Sequence, residues 1–260
     1  MPEIPLEKIE VFLLILFRVS TMLILMPVFS SKMIPGKIKI AISLFIAYIL
    51  FPTIATSSAI FPLQNILQFF ILAVQEIFIG ITVAFVWHLL FFSLRIAGSI
   101  TGFQMGFFVA SVIDPNDGSQ TPIISELYFI AGMLIFFAIN GQHRLIESLI
   151  YSFEKIPFGN LFAGQSLLNN LTGLFQATFI FALQIAFPIM ATLLLVEISF
   201  GFITRVAPQM NIFMVSFPLK IGIGIFILMY SMPFLRYIFS RTYNYFSVNV
   251  ITIIKILGSG

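Results

Sequence analysis

Residues 66–94 form an apolar run interrupted by one carboxylate, Glu76, and by no base other than His88. About 20 mostly apolar residues suffice to cross the hydrocarbon of a bilayer, so this run predicts a spanning helix that tilts or protrudes. Four further runs have membrane length: 11–29 with Arg18 inside, 40–61 interrupted at Pro52, 171–202 containing Pro188, and 212–239 carrying Pro218 and Pro233. Residues 127–139 are too short for a span. Asn140-Gly141-Gln142-His143-Arg144 breaks them, and a second apolar piece, 145–153, follows. Such a pair suits a re-entrant or protein-buried helix. The pattern predicts an all-α membrane protein of about five to six long hydrophobic helices plus broken or re-entrant ones, in a single integral-membrane domain over residues 1–257.

Composition closes the other routes. The chain is 60% apolar and 9% charged, whereas a soluble domain is about half apolar and about a quarter charged. A water-facing globule and a disordered chain are both excluded. A net charge of +3 supplies no field for nucleic acid. There is no cysteine, so disulfides and thiolate metal sites are absent. With two histidines and no H-E-x-x-H, P-loop or G-x-S-x-G motif, no catalytic residue, metal or cofactor is expected. The N-terminus is acidic and no small-residue cleavage site follows the first apolar run, so that run reads as a retained span. Gly258-Ser259-Gly260 reads as an artificial linker. Lys32, Lys37 and Lys39, then Arg205 and Lys220, then Arg236, Arg241 and Lys255 each argue for a cytoplasmic position. They cannot all be cytoplasmic if every helix crosses, which points to a non-standard topology.

Charges within apolar runs each ask for a partner, because an unpaired one costs at least about 2.5–3.5 kcal/mol. Arg18, Glu76, His88, Arg95 and Glu197 are in this position. His88 and Arg95 are seven residues apart and share a helix stripe, whereas Glu76 lies roughly 100–120° away from them. Glu76 therefore pairs with another helix or another chain. A proton relay through Glu76, His88 and Glu197 is the functional alternative to plain helix pairing. Asn140 and His143 are further polar residues set between apolar pieces.

Gly98, Gly102 and Gly106 make two consecutive G-x-x-x-G steps, a spacing that permits close helix approach or a hinge. They lead into a loop over residues 102–122 that carries Phe103, Met105, Phe107, Phe108 and Val109, then the turn residues Asp114-Pro115 and Asp117-Gly118. A glycine stripe, an aromatic pair and a polar turn describe a flap with an apolar leading edge.

Four blocks in order resemble the FliR family of flagellar and type III secretion export proteins, over about residues 11–240. The first is Arg18-Val19-Ser20 with Pro27-Val28-Phe29-Ser30 and Ile34-Pro35, and the second is Gly98 to Gly106 leading to Asp114-Pro115. The third is Asn140-Gly141-Gln142-His143 with Ser152-Phe153, Pro157 and Gly159. The fourth is Gly201 to Arg205, Ala207-Pro208-Gln209-Met210-Asn211-Ile212-Phe213 and Phe217-Pro218-Leu219-Lys220. The resemblance implies a helical hetero-oligomeric export gate with FliP and FliQ in the bacterial inner membrane at the flagellar basal body, partly raised above the bilayer plane. The N-terminal part would be FliP-like, and about residues 171–257 a FliQ-like hairpin. FlhB would lie at the cytoplasmic base with FlhA nearby, unfolded export substrates would pass through the centre, and lipid would surround the outside.

The same resemblance implies a pore-plugging role for the loop, on Gly102, Phe103, Met105, Gly106, Phe107, Phe108, Val109, Asp114, Pro115, Asp117 and Gly118, with Gly98, Gly102 and Gly106 as its hinge. Arg205, Pro208, Gln209, Asn211, Phe213, Pro218 and Lys220 would form a tight cytoplasmic connection that meets a partner chain. The rival readings are a secondary transporter built on Glu76, Arg95 and Glu197 with helices broken at Pro52 and Pro188, and a scaffold without a gating role.

Overall fold

The computed structural model describes residues 6–30, 34–57, 65–107, 123–207, 209 and 212–259. Eight helices account for nearly all of them, and no strand is present among the described residues. In chain order they are α1 (Leu6–Leu25), α2 (Pro27–Ser30), α3 (Gly36–Ser57), α4 (Ile66–Met105), α5 (Ile123–Ala138), α6 (Gly141–Lys155), α7 (Gln165–Val206) and α8 (Ile212–Gly258). The chain is an all-α protein with four helices long and apolar enough to cross a membrane, α3, α4, α7 and α8, or five if the broken pair α5–α6 counts as one span.

The first apolar run is not one helix. Pro27 cannot donate a backbone N–H and fits the first position of a new helix, so the chain bends after Leu25 and restarts as the four-residue α2. α1 is 20 residues long, but with Glu7, Lys8, Glu10 and Arg18 in it, it carries too much charge to count among the helices apolar enough to cross a membrane. Pro52, in contrast, does not interrupt α3, and Pro188, Pro218 and Pro233 lie within α7 and α8. Proline is tolerated inside membrane helices where neighbouring groups satisfy the freed carbonyl.

The long helices run past the apolar runs that predict them. α4 joins the run 66–94 to the glycine stripe through Arg95, reaching 40 residues. α7 has 42 residues and α8 has 47. At 1.5 Å per residue these are about 60–70 Å of helix, roughly twice the hydrocarbon thickness.

Two compact units divide the chain. The first holds residues 1–89, 140–174 and 245–260. Its core is Leu14, Ile15, Val19 and Met22 of α1, Ile79, Val83 and Trp87 of α4, Leu145 and Leu149 of α6, and Val250, Ile254 and Leu257 of α8, all buried. Gly258 ends α8, and a Cβ there would stand 2.2 Å from the Lys155 carbonyl oxygen. The second unit holds residues 90–139 and 175–244. Its core is aromatic: Phe91 stacks edge-on against Phe129 and Phe136, with Phe239 and Tyr243 completing the cluster. Large apolar side chains nonetheless remain outside, Tyr48 and Tyr230 being 72% and 74% exposed. Isolated exposed hydrophobics are ordinary, but whole faces of them on α3, α7 and α8 mark contact with lipid or with other chains.

Candidate functional site

The first unit is organised around Arg18, which is fully buried on α1. Its guanidinium meets the equally buried carboxylate of Glu76 on α4: Nε donates to Oε2, and Nη2 donates to Oε1 at 2.9 Å. The remaining donors reach the end of α6. Nη1 donates to the Ser152 carbonyl at 2.8 Å and Nη2 to the Ile156 carbonyl at 3.0 Å. A helix C-terminus leaves carbonyls without intrahelical donors and carries partial negative charge, so a cation there is favourable. The Phe153 ring lies 4.2 Å from the guanidinium carbon and covers its face. The sequence predicts that Glu76 pairs across helices, and the partner is α1 of the same chain. Gly80, one turn beyond Glu76, makes the approach possible: a Cβ there would be 2.8 Å from the Arg18 carbonyl oxygen.

Arg95 and Glu197 have partners of their own in the second unit. Arg95 pairs with Glu126 at 3.2 Å and sits over the Phe129 ring. Gly98 brings α4 and α5 into backbone contact there, a Cβ at 98 falling 2.3 Å from the Ser125 Cα. Glu197 of α7 is ion-paired with Lys220 of α8. Lys220, expected to face a partner chain, is thus engaged within its own. His88 is exposed beside the buried Trp87. These three carboxylates and three bases form three separate pairs.

The segment expected to gate begins later than the glycines predict. Gly102 to Met105 form the last turn of α4 rather than a loop. Gly102 and Met105 are buried, Phe103 is 66% exposed, and Phe107 is half-buried. Gly106 ends the helix with φ 90°, a left-handed conformation that glycine adopts without steric cost. Phe108, Val109, Asp114, Pro115, Asp117 and Gly118 lie outside the described residues.

At the α5–α6 break Asn140 adopts the left-handed region, φ 57° and ψ 35°, and its carbonyl accepts from the His143 N–H at 3.1 Å. Asn140 and His143 are exposed. Asparagine is among the few non-glycine residues that enter this region readily. In the α7–α8 connection Arg205 and Gln209 are exposed, as is Pro218 within α8. Pro208 and Asn211 lie outside the described residues, as does the side chain of Phe213. Among the described residues no three of His, Asp and Glu come together as a metal site would require.

The family model for bacterial export proteins, family 1, matches residues 9–245 of this chain. The chain belongs to that family. Its relatives include the flagellar biosynthetic protein FliR of Bacillus subtilis, 31% identical over 249 residues, which covers 95% of this chain and 94% of that one. FliR of Escherichia coli is 29% identical over 235 residues, 88% of each. The surface presentation of antigens protein SpaR of Shigella sonnei is 30% identical over 230 residues, 85% of this chain and 86% of its own. The resemblance read from the four motif blocks is thereby established. This family-1 export protein is a multi-pass membrane protein whose membrane-length helices and family membership agree.

Proposed function

We propose that this family-1 export protein is a subunit of the channel of the flagellar type III export apparatus. It assembles with FliP and FliQ in the inner membrane of the basal body, and unfolded subunits pass through the assembly. The carrying observation is the match over residues 9–245, which spans all four motif blocks. Helices of 40 to 47 residues support an assembly raised partly above the bilayer, because they are longer than lipid alone can cover. The exposed apolar faces of α7 and α8 support neighbouring subunits as their cover. The chain itself performs no bond chemistry, and the work of export is done by energy sources elsewhere in the apparatus.

Within that channel, the segment between α4 and α5 closes the pore when no substrate is threaded. Phe107, Phe108 and Val109 are apolar enough to exclude water, and Asp114 to Gln120 are polar enough to stay hydrated. Deleting residues 107–118 is expected to raise ion leakage in cells, read as membrane depolarisation. Normal leakage together with normal export would reduce the segment to a connector and leave the scaffold reading in its place. The transporter reading is the weaker rival: each of Glu76, Arg95 and Glu197 is already held by an opposite charge.

A further inference from the structure

Of the four membrane-length helices described, α3 is the one whose length matches a bilayer. Its 22 residues make about 33 Å of helix, close to the roughly 30 Å of hydrocarbon, whereas α4, α7 and α8 have 40, 42 and 47 residues. α3 packs against α1. Ser43 and Ala47, four residues apart and both buried, mark its inward side. Small residues at that spacing let membrane helices approach closely. The other side is open: Ile40, Phe45, Tyr48 and Ile49 are each more than half exposed.

The two ends of the α1–α3 pair differ in charge. Phe12, early in α1, meets Phe51, late in α3, with ring centroids 5.9 Å apart, so the helices run antiparallel. Glu7 and Glu10, at the start of α1, therefore stand far from the first turn of α3. That turn carries Lys37, which is exposed, and Lys39, which is half-buried, and α3 contains no acidic residue. A cation in the first turn of a helix faces the positive end of the dipole, so the electrostatics of α3 itself do not account for the pair of lysines. Lys37, Ala41 and Phe45 are exposed and spaced by four, so the exposed charge stands directly above the open apolar face.

We propose that this face of α3 binds an anionic phospholipid. The headgroup phosphate lies at Lys37 and Lys39, and the acyl chains lie along Ala41, Phe45 and Tyr48. Charge selects the occupant: two lysines above an acid-free apolar face match a negative headgroup above apolar chains. Length agrees, because a bilayer covers α3 almost from end to end. Anionic lipids attract basic residues to the cytoplasmic leaflet, so the same contact holds the Lys37 end of α3 on that side. The site is independent of the channel proposed above.

The test uses phosphatidylglycerol and phosphatidylcholine that carry the same photoreactive diazirine on an acyl chain. Each is added at equal mole fraction to otherwise neutral nanodiscs holding the full chain, and labelled residues are mapped by mass spectrometry. Phosphatidylglycerol is expected to label residues 41–48 several-fold more than phosphatidylcholine, and the preference is expected to shrink in high salt, which screens exposed charge. Lys37→Gln with Lys39→Gln is expected to equalise the two lipids. Arg236→Gln, which removes an exposed charge from α8 instead, is expected to keep the preference. Equal labelling by the two lipids in the unaltered chain would overturn the proposal, by making α3 a helix that meets lipid without recognising charge. Label on other helices but none on α3 would also overturn it, by giving the face to another protein chain. Should the lysine variant fail to fold, the comparison in the unaltered chain decides.

Discussion

Arg18 is where the chain commits most at a single residue. Four of its contacts join three helices: two to Glu76 and two to carbonyls at the end of α6. Removing one partner of a buried pair typically costs about 3–5 kcal/mol, because the other charge is left uncompensated, whereas replacing both with apolar groups is often near neutral. Arg18→Leu is therefore expected to abolish most of the folded protein recovered in detergent, measured by size exclusion of a fluorescent fusion. Arg18→Met with Glu76→Leu is expected to recover part of it, limited by the α6 carbonyls that Arg18 no longer serves. Equal yields for the single and double variants would contradict this. The need for a partner was legible at both residues from burial in apolar runs. The pairing itself was not, since 58 residues separate Arg18 from Glu76. The α6 carbonyls are backbone and carry no sequence signal. Gly80 carried one, but an isolated glycine in an apolar run does not announce which helix it admits.

At the scale of helices, close approach and length are the two features that decide the architecture. Gly98 lies so near Ser125 that any side chain would have to move backbone, whereas Gly201 has nothing within 4 Å. Gly98→Val is expected to lower the thermal midpoint of the purified protein by several degrees. Gly201→Ala is expected to leave it unchanged or raise it, since alanine is favoured over glycine in a helix by about 1 kcal/mol. A midpoint insensitive to Gly98→Val would remove the α4–α5 contact from the account. The G-x-x-x-G spacing predicted such a contact, and the structure gives it a partner. Helix lengths were less legible. Residues 240–257 of α8 lie beyond the continuous apolar run 212–239, since Arg241, Asn244 and Asn249 break uniform apolarity. Yet Thr242, Phe246, Val250, Ile253 and Leu257 are all buried and recur at three and four residues, the stripe of a helix packed on one side only. A search for continuous runs misses such a segment, and for the same reason Arg95 hid the continuity of α4. The bend before Pro27 went the other way, an unbroken apolar run concealing two helices.

For the whole molecule, the governing fact is that the apolar surface exceeds what one chain folds away. Met229 and Tyr230 on α8, Leu195 and Phe202 on α7, and Phe45 and Tyr48 on α3 are all more than three-fifths exposed. Lipid can cover about 30 Å of such a face, and helices of 40 residues and more are longer than that, in keeping with the neighbouring subunits proposed above. The conflict among Lys37, Arg205 and Arg236 over which side is cytoplasmic eases if parts of these helices are wrapped by neighbouring subunits, where the rule relating charge to side does not apply. Composition made the membrane environment plain, and motif order made the family plain. A set of partner chains leaves no mark in one sequence beyond the faces it covers. The most direct measurement is the native mass of this chain co-expressed with FliP and FliQ and purified in mild detergent. The account predicts a discrete hetero-oligomer containing one copy of this chain. A stable monomer that leaves FliP and FliQ behind would contradict it.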